Sequence, residues 1–237
     1  ATAGGFFSSI LAGSQRGAGG YTIANDAVVE AGSGGSGADL LIGNAVGDSL
    51  AGNAGGDDLY GGGGDDSLDG GLGDDVVFGG AGNDAVVDTG GGSNYLRGDE
   101  GDDRITGGAG FDDANGNMGA DTVSTGAGDD YAVGGKDSDS LSGGTGGDVV
   151  WGNLGNDTQD GGDGNDQVRG GQGDDTITGG AGDDFVSGDR GNDTIAGGSG
   201  ADLFHGSQDA GIDRALDFNL AEGDRVMLDP GTTYTVS

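Results

Sequence analysis

The sequence predicts an all-β fold, a parallel solenoid in which two nine-residue units make one flattened turn, and three observations predict it. An aspartate recurs every nine residues, a large apolar residue recurs two places after each aspartate, and 63 of the 237 residues are glycine, gathered ahead of the aspartates. Only 32% of the chain is hydrophobic, so an ordinary globular core is not expected and a repeat architecture is.

The unit reads G-G-x-G-x-D-x-U-x, with U apolar. Nineteen copies run from Gly34 to His205, six before a one-residue insertion at Asp88 and thirteen after it. The sixth position is occupied by Asp39, Asp48, Asp57, Asp66, Asp75, Asp84, Asn94, Asp103, Asp112, Asp121, Asp130, Asp139, Asp148, Asp157, Asp166, Asp175, Asp184, Asp193 and Asp202. The eighth position runs from Leu41 and Leu50 to Ile195 and Phe204, with Gln159 its one polar member and Ala114 and Ala132 undersized. Each unit is expected to be a six-residue glycine turn followed by a three-residue strand whose middle side chain points inward and whose flanks point outward. Two facing aliphatic rows then fill the coil.

Charge and composition exclude several functions. Eight Lys+Arg against 42 Asp+Glu give a net charge of −34, which disfavours nucleic acid and anionic membranes and favours cations. No apolar run is long enough for a membrane span. Zero cysteines remove disulfides and thiolate metal sites, and the single His205 removes any zinc site needing two histidines. His205 reads as a surface residue and Trp151 as a packing residue. Scattered GxGxxG matches are by-products of the repeat and carry no nucleotide signal.

The sixth-position residues are candidate metal ligands. Glycine lets the loop take positive φ and bring carbonyl oxygens to a common point, while aspartate adds a charged oxygen. Hard oxygen donors without His or Cys select a hard cation, and a flexible carbonyl and carboxylate set suits Ca²⁺ better than the strict octahedron of Mg²⁺. A core of eighteen apolar side chains is small for the length of chain to be ordered, so the metal is expected to take part in folding.

These repeats resemble the RTX (repeats-in-toxin) calcium-binding proteins over residues 34 to 205. The resemblance implies a right-handed parallel β-roll of about nine and a half turns, with each Ca²⁺ held between loop n and loop n+2 by sixth-position carboxylates and main-chain carbonyls. That gives nine neighbouring-loop pairs on the odd-numbered edge and eight on the even one, up to about 17 sites. Weaker sites are expected at Asn94, and where Val46 and Asp137 replace the fourth-position glycine. The resemblance also implies an extracellular or cell-surface protein exported by a type I secretion system of a Gram-negative bacterium.

Residues 1–33 are expected to form an N-terminal segment and cap, 34–205 the roll, and 206–237 closing strands. The stretch "YTIANDAVVEAGSGGSGADLLIGN" is similar to the lead-in of the calcium domain of serralysin-type proteases, and "YTIANDAVV" would cap the first turn. The protease itself is not implied, because its zinc motif needs three histidines. The start "ATAGGFFSSILAG" and the ending "TYTVS" read as those of a trimmed product.

Outward positions differ between the two faces. Odd units present Leu40, Ile42, Tyr60, Val76, Phe78, Tyr95, Tyr131, Val133, Val149, Trp151, Phe185 and Leu203, and even units present serines and threonines such as Ser49, Ser67, Thr122, Ser140, Thr158, Thr176 and Thr194. An apolar stripe of that size normally packs against something: the terminal segments, with Phe6, Phe7, Ile10 and Leu11 at one end and Phe218, Val226 and Leu228 at the other, are expected to cover part of it and another subunit the rest, so self-association into a homopolymer is expected. Two functions are weighed, neither enzymatic: a secreted calcium-binding structural protein forming a fibre, layer or matrix, and a C-terminal export and stability module of an exoenzyme. Regular T-x-T rows keep an ice- or carbohydrate-binding adhesin as a lesser alternative.

Overall fold

The computed structural model describes residues 31–88, 90–207 and 211–232. Within them the chain forms twenty-two strands in two parallel sheets of eleven, and no helix. Consecutive strands alternate between the sheets, so every strand pairs with the next but one in sequence. One sheet runs from Ala31–Ser33 to Arg214–Ala215 and carries the even-numbered repeats; the other runs from Leu40–Ile42 to Arg225–Leu228 and carries the odd-numbered ones. This is a parallel β-solenoid, in keeping with the right-handed winding that parallel crossovers adopt.

Register is the sequence period made visible. Val149 faces Gln167 and Val150 faces Val168, eighteen residues on. Across the insertion the step becomes nineteen in both sheets, with Val76 opposite Tyr95 and Ala85 opposite Arg104. A one-residue slip inside a strand would turn its inward side chains outward. Asp88 avoids this by lying just after the strand Ala85–Val87, so the turn absorbs it.

The strands are longer than the spacing suggests. Val76–Ala81 is typical, and it takes in Gly79, Gly80 and Ala81, the first three residues of the following repeat. Most turns therefore shrink from six residues to three. Identical Gly-Gly segments lie opposite each other in successive turns, as with Gly62 and Gly80, so their backbones pair wherever no side chain keeps them apart.

All eighteen apolar eighth-position residues are buried, from Leu41 to Phe204, and form one continuous core. Gln159 is buried among them. Eleven strands per sheet exceed the expected nine and a half turns because the sheets continue past the repeats, through Ala31–Ser33 at one end and Arg214–Ala215 and Arg225–Leu228 at the other. The "YTIANDAVV" cap and the apolar residues near Phe6 lie outside the described residues.

The outer faces differ as expected, with one correction. Tyr60 stacks on Phe78 at 5.2 Å and 4°, and Phe78 meets Tyr95 at 5.7 Å. The stripe then breaks. The Arg97 guanidinium lies 3.4 Å over the Tyr95 ring and pairs with Asp113 at 3.0 Å. A second apolar patch, around Tyr131, Val149, Val133 and Trp151, begins beyond that ion pair. On the opposite sheet Thr122, Ser140, Thr158, Thr176 and Thr194 stand in register as a hydroxyl row.

Candidate metal centre

The turn brings the sixth-position side chains inside the roll because strand alternation points residues six and eight the same way. They form two rows. Asp39, Asp57, Asp75, Asn94, Asp112, Asp130, Asp148, Asp166, Asp184 and Asp202 follow the odd edge, and Asp48, Asp66, Asp84, Asp103, Asp121, Asp139, Asp157, Asp175 and Asp193 the even one. All are buried except half-buried Asp39.

Most of these carboxylates are half satisfied. The Asp48 N–H donates to Oδ1 of Asp66 at 2.7 Å, and the Asp148 N–H to Oδ1 of Asp166 at 2.8 Å, a pattern that recurs along both rows. Oδ2 has no hydrogen-bond partner in fifteen of them: Asp57, Asp66, Asp75, Asp84, Asp103, Asp121, Asp130, Asp139, Asp148, Asp157, Asp166, Asp175, Asp184, Asp193 and Asp202. A buried unpaired carboxylate oxygen is costly, and repeated fifteen times it marks a missing counter-charge.

Glycine geometry shows where that charge fits. A Cβ on Gly61 would collide with Oδ2 of Asp66 and with the carbonyl oxygen of Gly79 one turn along. The orphaned oxygen and a main-chain carbonyl therefore face the same side-chain-free space. Left-handed backbone accompanies this cradle, and where the second position of an orphaned loop is not glycine it is Asn53, Asp99, Asn117, Asn153 or Asp189, all at positive φ. Asn and Asp are the residues that tolerate αL. Asp137, at φ 72°, takes the same backbone in place of a fourth-position glycine, and Asp139 in its loop keeps its orphaned oxygen.

Electrostatics agree. Burial pushes Asp66, Asp121, Asp130, Asp148 and Asp175 up to about 6, against the counteracting N–H bonds, with neighbouring carboxylates adding to the rise. Asp103, Asp139, Asp184 and Asp193 rise to about 7 from the same cause. Among the described residues no three His, Cys, Asp or Glu side chains converge at one point. The chemistry is thus that of a hard cation held largely by main-chain oxygens, with carboxylates shared between turns, which suits Ca²⁺.

Three groups went unrecognised in the sequence. Asp213 and Asp224 extend the rows beyond the repeats, accepting from the N–H groups of Asp193 at 3.3 Å and Asp202 at 3.0 Å. Each is followed by an x-U pair, Arg214-Ala215 and Arg225-Val226, and that spacing was the available signal. Fifth-position Asp and Asn side chains form a second, outer ladder of opposite sense: Asp65 accepts from the N–H of Asn83 at 2.9 Å and Asp174 from that of Asn192 at 2.8 Å. The inserted Asp88 is buried and bonded to the Asn94 side chain at 2.9 Å.

His205 is not the surface residue expected. Its side chain is 13% exposed, lies 3.1 Å from the Ser187 hydroxyl through Nδ1 and 3.6 Å from Asp229 through Nε2, and stacks on Phe185. The trio resembles a nucleophile relay in distance only. Ser187 is fully buried and its hydroxyl donates to Asp189 at 2.6 Å, so no substrate reaches it.

Comparison with curated proteins returns no match. A family model for the RTX calcium-binding nonapeptide repeat, in blocks of four copies, matches residues 33–68, 51–86, 88–123, 124–159, 160–195 and 179–212. These blocks cover the same loops whose carboxylates lie unpaired beside glycine cradles. The chain belongs to the RTX family of calcium-binding nonapeptide-repeat proteins.

Proposed function

We propose that the protein is a secreted structural protein whose roll folds on meeting calcium outside the cell and then associates with further copies of itself. The observation that carries this reading is the row of fifteen orphaned Oδ2 atoms. With a net charge of −34 and a thin core, the calcium-free chain has strong self-repulsion and little to oppose it. Ions bound between turns remove the repulsion and fix the loops, so the orphaned sixth-position aspartates serve as ligands and as folding elements at once. Cytosolic calcium is too low for sites in the range of roughly 10⁻⁴ to 10⁻³ M typical of extracellular modules, which keeps the chain threadable for export.

Self-association is supported at the C-terminal end of the described residues, where Ile212, Leu216, Leu220, Val226 and Met227 are exposed beside the last paired strands among them. Open strand edges with apolar neighbours template further pairing. Head-to-tail contact of that kind does not close and yields fibres. The same roll would also serve as the export and stability module of a larger secreted enzyme, and the intact mass of the protein isolated from its source separates the two.

The folding half is tested by circular dichroism. A calcium-free chain should lack β signal and regain it in millimolar calcium; a fully structured spectrum without calcium defeats the reading. Assembly is tested by light scattering in calcium, where Leu216→Asp combined with Leu220→Asp should lower the mass of the particles. A strictly monomeric parent protein at high concentration defeats that half alone.

A further inference from the structure

Four of the nineteen sixth-position residues are missing from the orphaned set: Asp39, Asp48, Asn94 and Asp112. Their loops are built differently. In all fifteen orphaned loops the second residue has positive φ, whether it is glycine, asparagine or aspartate. Gly35, Asn44 and Gly108 are outside that region. In those loops the second-residue N–H donates to Oδ2 of the loop's own aspartate: Gly35 to Asp39 at 2.6 Å, Asn44 to Asp48 at 2.7 Å and Gly108 to Asp112 at 3.0 Å. The loop supplies from its backbone the partner that the other fifteen lack.

Asn94 completes the arrangement. Its Oδ1 accepts from the Asp75 N–H at 2.9 Å, as a carboxylate would, while its Nδ2 donates to Oδ2 of Asp88 at 2.9 Å and to Oδ1 of Asp112 at 2.8 Å. Two buried carboxylates thus converge on the positive end of an amide dipole. The first of them, Asp88, is itself the one-residue insertion, and its main chain is anchored in turn by its N–H to Thr106 O at 2.8 Å.

We propose that the roll contains two classes of loop, cation-demanding and self-satisfied, and that the Asp88–Asn94–Asp112 network is a calcium-independent joint dividing the odd-edge sites into two arrays. The inference rests on the reading of the orphaned loops as calcium sites. It changes the count. Seven neighbouring pairs on the even edge have orphaned oxygens on both members, from Asp66–Asp84 to Asp175–Asp193. On the odd edge five do: Asp57–Asp75, then the four from Asp130–Asp148 to Asp184–Asp202. The even edge is uninterrupted past the joint, so calcium still staples the roll on that side.

Equilibrium dialysis against millimolar calcium in excess magnesium, with bound metal counted per chain, tests this on the unaltered protein. About twelve ions are expected, one per doubly orphaned pair, rather than the roughly seventeen that uniform loops would hold. Asp112→Asn should leave the count unchanged, whereas Asp148→Asn, on the same edge but between two doubly orphaned pairs, should lose two. A count of seventeen, or equal losses in the two variants, overturns the joint while leaving calcium binding intact. Absence of bound calcium overturns the calcium reading and this inference with it.

Discussion

Gln159 apart, the rows of eighth-position side chains are complete, whereas the rows of sixth-position carboxylates, only two residues away in each repeat, are not. Leu59, Val77, Leu96 and their neighbours pack against one another with nothing left over. The carboxylates beside them stop one bond short in fifteen loops. The centre of the roll is therefore held by non-directional burial, which tolerates exchange among Leu, Ile and Val. Its edges instead leave fifteen carboxylate oxygens for a cation to answer.

Acid offers the largest way to break that contrast, because it acts on the carboxylate rows together and leaves the aliphatic rows alone. Folded-state values near 6 to 7 lie above the unfolded value of about 3.9, so the fold prefers the protonated form. This stabilisation is full below the unfolded value and is lost as pH rises through 6 to 7. Calcium-free protein should consequently gain β signal when acidified from about pH 8 to about pH 5, still above its pI near 4.1. In calcium the sign reverses: protons compete for the same oxygens, so the calcium midpoint should rise as pH falls and binding near pH 6 should release protons. A calcium midpoint independent of pH would show that these oxygens are not the ligands.

A single carboxylate is the next probe. Asp148→Ala removes an oxygen facing two turns, and breaking buried charge pairing typically costs about 3–5 kcal/mol. It should raise the calcium midpoint more than Asp202→Ala, since Asp202 has a repeat neighbour on one side only and a solenoid transmits defects to its neighbours. Equal midpoints would mean that the loops act independently. Leu59→Ala tests the aliphatic side with an expected loss of about 2–5 kcal/mol. Read as denaturation in saturating calcium, that loss should persist at every calcium concentration that keeps the roll folded; a loss that vanishes with more calcium would tie the core to the edges.

The periodic part of this architecture was legible because a strict nine-residue repeat ties each side chain to a fixed place in the turn: eighteen core residues and both carboxylate rows follow from spacing alone. What escaped had lost the full motif or depended on backbone sign. Asp213 and Asp224 sit in D-x-U fragments that lack the leading Gly-Gly of the full repeat. Asp88 looked like a spacer and is a buried partner of Asn94. Gly35 and Gly62 are the same residue at the same repeat position, and only Gly62 is left-handed. Glycine permits both conformations, so its letter cannot reveal which one a loop adopts. His205 was misplaced because its burial comes from Ser187, Phe185 and Asp229, partners distant in sequence and outside the apolar pattern.

Gln159 gives the smallest effect and the finest test, since it puts a carboxylate-row problem inside an aliphatic row. It stands between Leu141 and Ile177 in register and is 1% exposed. Its Nε2 donates to the Arg169 carbonyl at 2.7 Å from within the core, but Oε1 has no partner. Unlike the aspartates it carries no charge for an ion to answer, so calcium cannot repair the deficit. Gln159→Leu removes the orphaned oxygen and adds apolar contact at the expense of one hydrogen bond, terms of opposite sign and each about 1–3 kcal/mol. The expected net result is a gain of about 1 kcal/mol, seen as a higher denaturant midpoint in saturating calcium with the calcium stoichiometry unchanged. Gln159→Ala, which loses the bond and leaves a void, should be less stable than the parent. Destabilisation by both substitutions would show that the amide is a necessary bridge to Arg169, and that the aliphatic rows too contain a bond the roll cannot spare.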